Sequence, residues 1–354
     1  MLNSMYSGIS GLGANQKKLD VIGNNIANSG TTSFKSSSVT FQDSMYQGYK
    51  RASGPGLNSG GVNSSRVGMG VSIQSIVTNM AQGSLQPTGR PYDAAVDGTG
   101  YFIVAKGPEN GSIDVSNDQS MSSGSMESFY TRDGSFKVDS SGNLVNANGY
   151  RIMGYQVGDG KGTSPLNGVA NYVDGESKTL DAVQNKLVPL IIPETVTKMV
   201  PKVGADGKPV VPEVLEAKEI RVQGFSIEKD GMIKAVLADG STTILGQVAM
   251  ASFTNNEGLE QKGNNMYSPS ANSGAPLARV GKYSSEAKLD SYGGDRTDNG
   301  KAYGDILNGF LEMSNVDLSA QFTDMIVATR SFQACGKIIT TADEILQELV
   351  NLKR

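Results

Sequence analysis

Asp290, Asp295 and Asp298, in LDSYGGDRTDNG, are the nearest approach to a metal-ligand cluster in this chain. They lack the alternating ligand positions and the closing glutamate of an EF-hand loop, so a solvated loop is the expected reading. Cys335 is the only thiol, which rules out an internal disulfide. It falls on an apolar helical stripe, where a cysteine usually packs as a small hydrophobe. Asn63-Ser64-Ser65 and Asn110-Gly111-Ser112 match the N-glycosylation pattern, a motif too short to carry weight. The 354 residues include no histidine. That removes the usual general base, the Ser–His–Asp triad and most zinc sites together. No GxGxxG, Walker loop, HExxH, paired CxxC or GxSxG elbow is present. Neither a catalytic site, a cofactor nor a metal is expected.

The elements that would have to position any site are equally informative. Net charge is −4 with lysine and arginine scattered, so no nucleic-acid partner is indicated. No run of about 18 apolar residues occurs, so no membrane insertion is expected. The start, MLNSMYSGISG, lacks the basic region and apolar run of a cleavable secretion signal. Forty-four glycines, with abundant serine and asparagine, favour turns and short strands.

Two stretches break that pattern. Leu318, Phe322, Met325, Thr329, Phe332, Cys335, Ile339, Ala342, Leu346 and Leu349 step by three and four residues, the stripe of one long helix. Asn315 or Asp317 is placed to cap its start, and Lys353 and Arg354 suit its end. Leu2, Met5, Ile9, Leu12, Leu19, Ile22 and Ile26 step in the same way, with Gln16 in the missing place. The two stripes predict an antiparallel terminal coiled coil. Glycines at 8, 11, 13 and 23 weaken the first helix, so both termini are expected to be disordered in the monomer and to fold on assembly.

Between them the chain alternates short Val-, Ile-, Phe- and Tyr-rich runs with hairpin turn signals. Asp97-Gly98, Asp133-Gly134, Asn148-Gly149, Asp230-Gly231 and Asp239-Gly240 are the clearest. The expected fold is therefore mixed: a terminal α-helical coiled-coil domain and a discontinuous all-β middle built of antiparallel hairpins. Residues 1–34 with 316–354 form the first, 35–75 a connecting region with a Gly/Ser-rich adaptable linker at 52–70, and 76–315 the second. Residues 108–127 read as a polar excursion, and 194–217 as an inserted hairpin or small lobe.

LDVIGNNIANSGTTSFK (19–35) resembles the N-terminal signature of bacterial flagellar rod and hook proteins. The tract FLEMSNVDLSAQFTDMIVATRSFQACGKIITTADEILQELVNLKR resembles the family's C-terminal one. TGRPYDAAVDGTGYFIV, YTRDGSFKVDSSGNLVNANGYRIMGY and ASFTNNEGLEQKGNNMYSPSANSGAP look like its middle-domain motifs. SNVDLS and the NLKR ending look most like a hook subunit, whereas the long segment from Phe41 to Val71 is similar to distal-rod subunits.

The resemblance implies a self-assembling structural subunit of the flagellar hook, with the distal rod as the alternative. It implies terminal helices lining the inner tube of a helical filament, with the stripe residues at subunit interfaces. The implied partners are other copies of the chain, the distal rod, the hook cap, the hook–filament junction protein and the flagellar type III export apparatus. Export without a cleaved signal and a location outside the cell follow from it. Of the rival classes, a secreted enzyme would need a constellation that works without histidine, and none converges in these motifs; a surface-binding β protein would not explain two matched terminal stripes.

Overall fold

The computed structural model describes residues 2–56, 60–108, 111–116, 120–122, 125–158, 170–174, 181–182, 186–201, 215–279 and 304–352. Asp290, Asp295, Asp298, Asn110, Lys353 and Arg354 lie outside them. The described chain divides into a unit of residues 2–81 with 314–352 and a unit of residues 82–313.

In the first unit, α1 (Leu2–Ala27) and α2 (Leu318–Leu352) run antiparallel. Lys18 meets Asp324 at 3.2 Å near one end, and Gly8 meets Ile339 near the other. Asp317 caps α2: its Oδ1 accepts from Ser319 N (2.9 Å) and Ala320 N (3.3 Å). After α1 come β1 (Ser37–Asp43), β2 (Tyr46–Lys50), β3 (Ser65–Gly68) and β4 (Val71–Thr78).

The stretch at 52–70, expected as an adaptable linker, contains paired strand. β1 pairs antiparallel with β4 from Ser37↔Thr78 to Asp43↔Val71, and β2 with β3 from Tyr46↔Gly68 to Lys50↔Ser65. A bridge between Ser53 and Val62 continues the ribbon. The low-periodicity stretch at 52–70 thus contains the return strand of one long hairpin, whose partner lies upstream. Gly70 is required at the joint between β3 and β4: its φ is +116°, and any Cβ there would run into Ser10 Oγ on α1.

Among the described residues the second unit is an antiparallel β structure, with one short parallel pairing between Ala170–Asn171 and Val196–Thr197. β5 (Leu85–Pro87) pairs with Phe310–Glu312, and β6 (Ala94–Asp97) with Asp305–Asn308. β7 (Tyr101–Lys106) is the central strand, pairing with Glu127–Thr131, Arg151–Tyr155 and Met250–Ser252. Alternation along β7 sends Phe102 and Val104 into a core with Phe136, Leu144, Ile152 and Val248. Tyr101, on its other face, packs edge-on against Phe253 and Tyr267.

The segment at 108–127 returns to the core instead of staying a polar excursion. β8 (Ile113–Val115) buries both of its apolar residues and pairs with Lys186–Leu187. The two apolar positions flanking Asp114 have strand period, a signal masked by the serines around them. Thr195–Pro201 and Leu215–Ile227 form an antiparallel hairpin from Thr195↔Arg221 to Pro201↔Leu215. Its expected turn at Asp206-Gly207 lies outside the described residues.

Candidate assembly surface

The helix pair meets along small residues. A Cβ on Gly8 would lie 3.2 Å from Ile339 Cγ1, and one on Gly11 only 2.8 Å from Cys335 Sγ. Ala14, Ile22, Ala328 and Ala342 are the buried apolar residues of this pair among the described ones. Alanine and glycine at these points let the backbones approach closely, which larger side chains would prevent.

Of the sequence-derived stripe, Ile22 is buried, while Met5, Leu12, Leu19, Ile26, Met325, Ile339 and Leu346 are half-buried. Ile9, Leu318, Phe322, Phe332 and Leu349 are not covered within the chain, at 54%, 42%, 51%, 38% and 47% exposure. The side chain of Leu2 lies outside the described residues. The seam facing α2 is therefore not the larger apolar stripe. It runs through Gly8, Gly11, Lys18 and Asn25, rotated by one residue. Gly8 and Gly11, three apart, carried that signal, because a close helix crossing selects for small residues.

A second apolar row lies along α2, where Val327, Ile338, Ile345 and Leu352 are all exposed. With Ala334 between them, their separations are multiples or near-multiples of a helical turn, so they share one side of the helix. Tyr6 and Ile9 on α1, and Met45, Tyr46, Tyr49 and Ile76 on the hairpin, are exposed as well. An apolar surface of this extent marks a contact region.

Polar residues fix the frame that presents it. Asn25, 1% exposed, donates to Ser37 O (2.8 Å) and Gln321 Oε1 (3.1 Å), and accepts from Ser37 N (3.0 Å). It thereby ties α1 to both β1 and α2. Asn315, expected as a possible cap, instead bridges three strand-end groups. Its Oδ1 accepts from Ser36 N (2.7 Å) and its Nδ2 donates to Asn79 O (2.8 Å) and Ala81 O (3.0 Å). Buried Lys35 also donates to Ala81 O, at 2.8 Å. Sequence reasoning missed these asparagines, because an asparagine beside a helix end reads first as a cap or a stop.

The second unit has its own buried ionic knot. Arg132 and Glu312 are 3.4 Å apart with side chains 5% and 0% exposed. Arg132 also donates to Gly100 O (3.1 Å) and Gly98 O, and Glu312 Oε1 accepts from Gly83 N (2.9 Å). The Arg132 guanidinium also lies over the Tyr101 ring, 5.5 Å from its centroid, so this knot holds chain segments together. Among the described residues no group of His, Cys, Asp or Glu could hold a metal ion.

Comparison with known proteins agrees along the chain. Residues 5–35 match the family described as "Flagella basal body rod protein", residues 95–235 "Flagellar hook protein FlgE/F/G D1 domain", and residues 307–352 "Flagellar basal body rod FlgEFG protein C-terminal". The flagellar basal-body rod protein FlgG of Bacillus subtilis is 37% identical over 100% of both chains. In Borreliella burgdorferi, the flagellar hook protein FlgE is 29% identical and the rod protein FlgG 25% identical, each over 100% of both chains. A solved Helicobacter pylori flagellar hook protein FlgE2 overlaps only loosely, with a TM-score of 0.42 and 12% identity over 64% of this chain and 100% of that one. Terminal helices, a β middle and full-length likeness at this level have one conclusion: the chain belongs to the flagellar hook and basal-body rod family, whose members are structural components of the flagellum.

Proposed function

We propose that the chain is the hook subunit, polymerising into a curved helical tube that passes motor torque to the filament. The observation that carries the polymer reading is the exposed row Val327, Ile338, Ile345 and Leu352 on α2, beside uncovered Ile9, Phe322, Phe332 and Leu349. Burying such side chains is worth about 1.5–3 kcal/mol each, so neighbouring copies have much to gain by covering them. The sequence-derived stripe residues, from Leu2 to Ile26 and from Leu318 to Leu349, are the interface on this reading. Subunits related by a screw contact through different patches, which gives an open filament instead of a ring.

The hook assignment is supported by the paired Borreliella burgdorferi relatives, of which the hook protein is the more similar, 29% against 25%. The 37% identity to a Bacillus subtilis rod protein favours the second reading, a distal-rod subunit. On either reading the chain leaves the cell through the flagellar type III apparatus without a cleaved signal, its termini ordering on assembly. A hook subunit would sit above the distal rod, grow beneath the hook cap and end at the hook–filament junction protein.

Deleting the gene and imaging the basal bodies tests the choice. Rods that remain intact but carry no hook support the hook subunit, whereas rods that end short assign the distal rod. Purified protein that forms no tubes when concentrated would remove the polymer reading itself.

A further inference from the structure

Charge divides unevenly between the two units. Residues 82–313 hold 21 Lys and Arg against 28 Asp and Glu, a net of −7, while the rest of the chain holds 10 against 7, a net of +3. No acidic residue occurs between Asp43 and Asp93. Lys50 and Arg66 on β2 and β3, with Arg51 just after β2, are therefore the charges of the outer part of the hairpin, and the nearest carboxylate is Asp43 at the end of β1, which accepts a hydrogen bond from Tyr46.

That ribbon is uncovered. Every residue of β2 and β3 is exposed, including Tyr46 at 56% and Tyr49 at 64%. Tyr46, Tyr49, Lys50, Arg51 and Arg66 line a hollow of about 560 Å³ on it. Among the described residues none of the three cations forms an ion pair. A two-stranded ribbon with no covered face is marginal on its own in water, so a partner surface would stabilise it.

The second unit carries a surface of opposite character. A groove of about 320 Å³ is lined by Asp139, Glu194 and Glu219 around Ile191, Ile192 and Pro193, with no lysine or arginine in its wall. Glu194 and Glu219 are exposed and, among the described residues, unpaired. Three carboxylates around an apolar floor complement three cations beside two tyrosines. Guanidinium groups engage carboxylates through two parallel hydrogen bonds, and the rings supply apolar contact with the isoleucines and proline.

We propose that the hairpin end of one copy docks in the Asp139/Glu194/Glu219 groove of a second copy. This rests on the reading of the chain as a homopolymer and adds to the apolar helix contacts an electrostatic one that sets which neighbour each hairpin engages. Charge complementarity of this kind steers and selects more than it adds affinity, and salt weakens it.

The test uses full-length protein with the photo-cross-linker p-benzoylphenylalanine at Tyr49, assembled as an equal mixture of ¹⁴N- and ¹⁵N-labelled chains. Mixed-isotope cross-links from residue 49 into 138–142, 191–197 or 219 are the expected result. Lys50→Glu/Arg51→Glu/Arg66→Glu should lower their yield at least tenfold, and Asp139→Lys/Glu194→Lys/Glu219→Lys in the partner should restore it. Tubes whose cross-links go elsewhere, carry only one isotope, or ignore both charge reversals would overturn the docking proposal while leaving the polymer reading intact. Wild-type protein that forms no tubes under the same conditions would overturn the polymer reading on which it rests.

Discussion

Gly11 and Cys335 face each other so closely that a Cβ on Gly11 would lie 2.8 Å from the Cys335 sulfur. Gly11→Leu should therefore separate α1 from α2, at a cost of about 1–3 kcal/mol from overpacking. Polymerisation should fail while the β unit keeps its own unfolding transition. Gly13 has no atom within 4 Å of its added Cβ. Gly13→Ala should instead stabilise α1 by roughly 1 kcal/mol through helix propensity. Thermal melts followed at 222 nm, with sedimentation of polymer, separate the two effects.

Loss of one partner in the Arg132–Glu312 pair leaves the other charge buried. Glu312→Ala should destabilise the β unit by about 3–5 kcal/mol, read from the shift in urea midpoint. It also strips the acceptor from Gly83 N. Arg132→Met with Glu312→Leu should cost less than the two single changes summed, since neither charge is then stranded. Strict additivity in that double-mutant cycle would mean the two groups act independently.

Asn315→Ala removes three hydrogen bonds that join the start of β1, the end of β4 and the approach to α2. At about 1 kcal/mol each, the expected loss is on the order of 3 kcal/mol, confined to the unit that contains the helices. Hydrogen exchange should quicken at Ser36 and along β1 and β4, with the central strand β7 unchanged.

Burial raises four tyrosines of the β unit. Tyr101 and Tyr130 are pushed up to about 12, and Tyr155 and Tyr267 higher still. Desolvation of the phenolate is the main cause at each. The unfolded chain releases these protons near pH 10, the folded chain only above that. Stability should therefore stay flat with respect to these groups below pH 10 and fall steeply between pH 10 and 12. Urea midpoints across that range, with tyrosinate absorbance at 295 nm, check it; ionisation of all 13 tyrosines near pH 10 without unfolding would show that these four rings are accessible.

Trimming residues 346–354 should leave the β unit folded and abolish polymerisation. The cut removes half-buried Leu346 and the exposed residues Leu349, Val350 and Leu352. Electron microscopy of concentrated protein provides the readout, and tubes of normal length from the trimmed chain would place the assembly contacts elsewhere.

Much of the fold was legible because its signals are local. Gly98, Gly149, Gly231 and Gly240, each flagged by a preceding Asp or Asn, all take positive φ, between +78° and +112°. Gly134 carried the same signal for a different reason: it is not a positive-φ turn, and the carbonyl of Ala94 occupies the place a Cβ would need. Only a distant strand could reveal that. The hairpin was missed for a similar reason. β3 is four residues long and polar, and its partner β2 lies 14 residues upstream across a stretch without period.

By itself the sequence determined the two terminal helices, the antiparallel β middle, the family, and the lack of histidine and of a paired cysteine. These follow from periodicity, turn chemistry and composition, all readable within a short window. Tertiary structure decided which side of α1 faces α2, because stripes one residue apart differ by only about 100° of rotation. The choice depends on how closely the partner can approach, and Gly8 and Gly11 admit Cys335 and Ile339 where Ile9 would not. It also paired Arg132 with Glu312 across 180 residues, a contact that no local pattern encodes.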